Sequence, residues 1–157
     1  MKAEIRDILN YHVGHFLRPI AREVHVADTC PQFVQTAGIS RDGTLYVNPG
    51  FWNTLSSTEK VVVVIHEILH LFRRHWSRGG KYNKQVWNIA TDCEINSFIQ
   101  FAYSYSLPEG AIIPEQFELE PLRRAEYYAE KLSQSGESGK SGESGKSGES
   151  GKSGESG

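Results

Sequence analysis

The stretch that most constrains this chain is VVVVIHEILHLFRRHW, Val61 to Trp76. Four valines and an isoleucine run into His66-Glu67-x-x-His70, and Leu71-Phe72 follow. Ionisable groups in apolar surroundings are costly to bury unless they find partners. The fold must therefore bury this segment and also give its polar residues something to bind. Ser56, with Glu59 three positions later, has the form of a capping box. That cap and the length of the apolar run favour a helix over a buried strand, running to about Arg74.

On a helix, positions four apart differ by about 40° and one turn. His66 and His70 therefore share a face at a spacing suited to one ion. Zinc takes imidazole nitrogen well, and its catalytic sites keep three protein ligands and one open position. Glu67 stands where the general base of such a motif is found.

Two residues compete as third ligand. His75 follows His70 by five positions. On a continuing helix it would point about 140° away from His70. No glycine is present to turn the chain back, so His75 is expected at the helix end or on the rim of the site. Asp92 is the stronger candidate. In KQVWNIATDCEINSFIQF, Asn88, Asp92 and Asn96 are spaced four apart, a polar stripe on a helix expected from Lys84 to about Ala102. A buried carboxylate needs a strong partner, and an ion shared with the two histidines is one. Asn88 and Asn96 would orient ligands or bind neighbouring backbone. Glu94 lies about 200° around that helix from Asp92, off the stripe.

The remaining segments place these two helices in a small α+β domain. Ile5 to Leu17 has helical spacing, and an amphipathic helix is expected from about Lys2 to Leu17, ended or bent by Pro19. Phe33-Val34 and Leu45-Tyr46-Val47 read as strands of a hairpin turned at Ser40-Arg41-Asp42-Gly43. The second of these could be an edge strand beside the cleft, open to β-augmentation by a peptide, or an ordinary covered core strand. Gly79-Gly80 breaks the chain between the long helices, and a short last helix is expected through Leu122, Ala125, Tyr128 and Leu132. Tyr46, Tyr82 and His75 are candidates to stabilise an oxyanion, with Tyr46 and His75 kept as candidate substrate-binding residues.

From Ser135 the sequence repeats SGESGK without an apolar residue. Such a segment cannot bury surface to offset its ordering entropy. Residues 134–157 are read as a flexible linker, and the perfect repeat points to an engineered one. Residues 1–133 form the domain. The repeat holds three Lys and four Glu of the chain's 17 basic and 19 acidic residues, leaving 14 and 15. That near-neutral balance makes no case for nucleic acid or an anionic membrane. No stretch approaches a membrane span, and no signal-peptide core is evident. Cys30 and Cys93 read as reduced thiols, and a cytoplasmic location is expected.

His-Glu-x-x-His, a short Arg/Gly-rich connection and Trp-Asn-x-Ala-x-Asp-x-x-x-Asn together resemble a metallopeptidase domain. It is the one that often precedes a von Willebrand A-like domain in bacterial proteins. DGTLYVNPGFWNTLS, LPEGAIIPEQF and EYYAEKL resemble further segments of that family. The resemblance covers most of residues 1–133. It implies a minimal zincin-like fold, gluzincin-like with aspartate as third ligand: a short sheet on an active-site helix, and a second ligand-bearing helix. His66, Glu67, His70 and Asp92 fall on the matching positions. It also implies a regulatory or von Willebrand A-like partner.

The expected function is zinc-dependent hydrolysis of peptide bonds in a protein or peptide substrate, with Glu67 as base. The alternatives are a zinc-stabilised protein-binding module without catalysis, and a zinc hydrolase of a small amide. A fourth protein ligand would favour the module. A narrow pocket in place of a groove would favour the small amide.

Overall fold

The computed structural model of the chain describes residues 1–135. The SGESGK repeat lies outside the described residues from residue 136 onward. Within them are seven α-helices, one 3-10 turn and a three-stranded sheet, an α+β architecture.

The chain opens with α1, Lys2–Tyr11, which buries Ile5, Ile8 and Leu9. It stops earlier than its spacing predicts. His12 caps it, and Gly14 takes a left-handed φ of 90° that a helix cannot contain. Val13 and Leu17 still reach the core from the following loop. Pro19 begins rather than ends a helix, lying in the first turn of α2, Arg18–Ala21.

The sheet is built from β1, His25–Val26, β2, Ala37–Ile39, and β3, Thr44–Val47, in the order β1-β3-β2. The expected hairpin exists, turned at Gly43 with φ 89°. Asp42 Oδ1 accepts the Thr44 amide there at 3.1 Å. Its first strand is Ala37–Ile39, not Phe33-Val34, which forms a turn closed by Val34 N to Pro31 O at 3.0 Å. Strand β3 is central. It pairs in parallel with β1 and antiparallel with β2. Leu45-Tyr46-Val47 is therefore no edge strand, and β2 occupies the edge instead.

After α3, Pro49–Trp52, comes α4, Ser57–Phe72. Its capping box is complete: Ser56 Oγ accepts the Glu59 amide at 3.2 Å, and Glu59 Oε2 accepts the Ser56 amide at 2.8 Å. The cap outweighs the modest helix propensity of the valines. Val62 to Ile65, Ile68 and Leu69 then pack with Leu45 and Val47 of β3, Ile39 of β2 and Leu9 of α1 in the main core.

Arg74 ends this run in the left-handed region, at φ 55° and ψ 45°. The backbone turn that a glycine usually makes is made here by arginine, and α5, His75–Arg78, starts directly from it. Next is α6, Lys84–Ala102, as its sequence predicts. Every residue from Val86 to Ser97 is buried. One side of α6 faces α4. The other forms a second core with Ala125, Tyr128 and Ala129 of α7, Ala125–Ser135. That last helix starts three residues after Leu122, which is itself left-handed at φ 59°, and runs into residues expected as linker. No helix among the described residues is long and apolar enough to cross a membrane.

Trp87 joins the two long helices through the α5 segment. Its ring stacks on Tyr82 with centroids 5.4 Å apart, and its Nε1 donates to the His75 carbonyl at 2.9 Å. A Cβ on Gly79 would lie 2.4 Å from this ring, whereas a Cβ on Gly80 meets nothing within 4 Å. Gly79→Ala is therefore expected to destabilise the domain by about 1–3 kcal/mol through overpacking. Gly80→Ala should cost about 0.5 kcal/mol or less, as surface substitutions usually do. Denaturant unfolding of the two variants checks this, and equal stabilities would contradict the close packing at Gly79.

Candidate metal centre

His66 and His70 project from one face of α4, and Asp92 meets them from α6. His66 Nε2 lies 3.2 Å from His70 Nε2 and 3.2 Å from Asp92 Oδ1, and His70 Nε2 lies 3.5 Å from the same oxygen. Donors on a tetrahedron about 2.0–2.1 Å from an ion are separated by about 3.3–3.4 Å. The three atoms thus have the mutual spacing of one face of a tetrahedral site. They form the group of His, Cys, Asp or Glu side chains among the described residues that could hold a metal ion. Two imidazoles and a carboxylate also form the kind of donor set that zinc takes.

Asn96 sits one turn beyond Asp92. Its Nδ2 donates to the Ile112 carbonyl at 2.8 Å, which turns its Oδ1 toward His66 Nδ1 at 2.9 Å. His66 therefore carries a proton on Nδ1 and directs Nε2 at the group, the usual arrangement of a metal-binding histidine. Asn88, one turn before Asp92, is buried and lines a cavity with His70, His75 and Thr91.

Glu67 is buried beside the group, and its Oε2 has no hydrogen-bond partner. Burial lifts its carboxyl to about 7, against the pull of His66. An unpartnered buried carboxylate oxygen is uncommon and calls for a reason. Glu67 lines a cavity of about 360 Å³ together with His66, Asp92, Ala37 and the Pro108–Ile112 segment. A second cavity of about 270 Å³ lies on the His70 side, walled by Ile39, Trp76, Tyr82 and Trp87. Strand β2 borders both, through Ala37 and Ile39.

Of the candidate residues from the sequence, Tyr46 lies away from the converging donors and His75 lies against the His70 ring. Tyr46 alternates with the buried Leu45 and Val47 on β3, and so points to the opposite face of the sheet. It lines a surface hollow with Pro31, Phe33 and Arg41, away from the metal-site residues. His75 is not on the rim. The left-handed Arg74 swings it back under His70, and it is buried. Its Nδ1 lies 3.0 Å from His70 Nδ1, and its Nε2 lies 2.8 Å from Glu94 Oε1. That places His75 behind the His70 ring, on the side away from Asp92.

Glu94 is the residue that the spacing argument passed over. It accepts from Arg73 at 2.8 Å, from Arg78 at 3.4 Å and from the Ala125 amide at 3.1 Å, besides His75. Burial would raise its carboxyl, but His75, Arg78 and Arg73 hold it below the usual range. The available signal was its setting between Cys93 and Ile95. A carboxylate set among apolar neighbours off the polar stripe needs partners on whichever face it occupies.

The model of a family described as "Putative metallopeptidase domain" matches residues 20–157, and the chain belongs to that family. No curated protein and no solved structure matches it.

Charge in the metal-free group is settled by Asp92. Burial works against a charged His66, but the Asp92 carboxylate outweighs it and holds the His66 imidazole at about 9. Burial keeps His70 below its ordinary value. His66 is therefore the protonated ring, and an ion at Nε2 must displace that proton. Because the His66 value is raised, the proton is held at neutral pH and lost only as pH passes about 9. Zinc binding near neutral pH should release at least the His66 proton, and apparent affinity should rise with pH across the neutral range. Calorimetry in buffers of different ionisation enthalpy measures the release. Binding with no proton released would contradict this charge assignment.

Proposed function

We propose that the chain is a zinc-dependent peptidase in which His66, His70 and Asp92 hold the ion and Glu67 is the general base. The observation that carries this reading is Glu67, which lines a cavity beside three converging donors and keeps a buried Oε2 without a partner. A purely structural site has no use for such an oxygen.

Zinc in that position would supply Lewis acidity, polarising a substrate carbonyl and making water acidic near neutral pH. The protein's own part is proton transfer and positioning. Glu67 takes a proton from the attacking water as its oxygen adds to the scissile carbonyl carbon. It returns that proton to the leaving nitrogen as the C–N bond breaks, giving a carboxylic acid and an amine, and the acid's remaining proton passes to the amine to leave a carboxylate and an ammonium. Burial raises the Glu67 carboxyl above its ordinary range, which suits a group that must both accept and return a proton.

An extended peptide is the substrate that the surroundings fit best. Strand β2 borders both cavities, and a peptide lying along that side of the group would pass from one to the other. Their presence on both sides of the group favours a groove over a closed pocket for a small amide. The binding-module reading calls for a fourth protein ligand. The group numbers three among the described residues, and His75 lies behind His70 rather than beside the other donors.

Glu67→Gln keeps the shape of the side chain and removes the base. It should bind zinc stoichiometrically, as wild type does, and lose about 10²-fold or more in peptide cleavage. Zinc content by elemental analysis and cleavage of an unstructured protein are the measurements. Equal cleavage by both proteins would remove Glu67 as base.

A further inference from the structure

His70 has two ring nitrogens, and only Nε2 belongs to the converging group. What holds the other nitrogen decides whether Nε2 presents a lone pair or a proton. For His66 an amide oxygen does this, from Asn96. For His70 the neighbour is another imidazole nitrogen, His75 Nδ1 at 3.0 Å. Two nitrogens at that distance share one proton, so one donates and the other accepts.

The direction follows from Glu94. Its Oε1 is 2.8 Å from His75 Nε2 and takes in the Ala125 amide as well. Oε2 receives Arg73. An ionised carboxylate only accepts, so His75 Nε2 carries a proton. Arg73 and Arg78 already balance the charges of Glu94 and Glu126, and a third cation is not called for. A neutral His75 protonated on Nε2 has its lone pair on Nδ1. The shared proton then sits on His70 Nδ1, and His70 Nε2 is left as a lone pair aimed at His66 and Asp92.

His75 is itself held firmly. Trp87 donates to its carbonyl, and the two rings meet edge to face at 6.1 Å and 89°. Glu94 in turn is pinned by the first turn of α7 through Ala125, and Arg78 bridges Glu94 to Glu126.

We propose that His75 is a positioning residue for the metal site: anchored by Glu94, its ring accepts the Nδ1 proton of His70 and frees His70 Nε2 to ligate. This rests on the metal-site reading above. It assigns His75 a place behind a ligand, not at the substrate and not on the ion.

Zinc alone is the probe. Affinity is measured by chelator competition on wild type, His75→Phe and His75→Asn. Phenylalanine fills the space without an acceptor. Asparagine can return an oxygen near the position of Nδ1. His75→Phe should bind zinc about tenfold to a hundredfold more weakly, and His75→Asn should recover much of that loss. A role in packing alone would lower the thermal midpoint of the metal-free protein and leave zinc affinity unchanged, or would weaken both variants equally; either result overturns the proposal. Nitrogen NMR of the imidazole rings in zinc-loaded wild type needs no variant, so it decides the matter even where a variant fails to fold. It should find the proton of His70 on Nδ1 and that of His75 on Nε2. A proton on His75 Nδ1 overturns the proposal. If wild type binds no zinc, the metal site falls and the relay with it. If zinc binds wild type and folded His75→Phe alike, the relay falls alone.

Discussion

The contact on which the rest of the structure depends is the Asp92 carboxylate of α6 against the two imidazoles of α4. It sets the distance and rotation between the two longest helices. It also explains why so apolar a segment as Val61–Phe72 tolerates His66 and His70. Each group there is costly to bury alone and acceptable only in company. In the metal-free chain the company is one shared proton, held by His66 against Asp92. An ion bound to the same three atoms would replace that proton.

Behind this contact lies a second polar layer, which ties the site to the end of the domain. Helix α6 is buried all round because α4 covers one side and α7 the other. Asp92 and Asn96 serve the first side. Glu94 and Ser97 serve the second, where they receive the Ala125 amide at 3.1 Å and the Leu122 amide at 2.6 Å. Glu94 also gathers Arg73, His75 and Arg78. One buried carboxylate thus links the back of His70 to the start of the last helix.

Much of this was legible in the sequence, for identifiable reasons. The start of α4 was legible because a capping box is local chemistry. The meeting of Asp92 with His66 and His70 was legible because spacing of four on two helices defines two faces. What escaped depended on backbone or tertiary context. The turn at Arg74 uses a left-handed arginine, and nothing in RRHW signals it; His75, expected at the helix end or on the rim, does follow the end of α4 but lies buried beneath His70. Strand Ala37–Ile39 contains Ala and Gly, weak strand formers that only pairing with β3 supports. Glu94 was set aside as off the polar stripe, a judgement that holds for a helix with one buried face. It fails for α6, which has no exposed face between Val86 and Ser97.

The most direct test of the central claim is an anomalous-difference map at the zinc absorption edge from crystals of the zinc-loaded protein. The account predicts one peak about 2.0–2.2 Å from His66 Nε2, His70 Nε2 and an Asp92 carboxylate oxygen, with a coordination position left open toward Glu67. A peak that omits Asp92, or zinc bound only elsewhere on the protein, would contradict it.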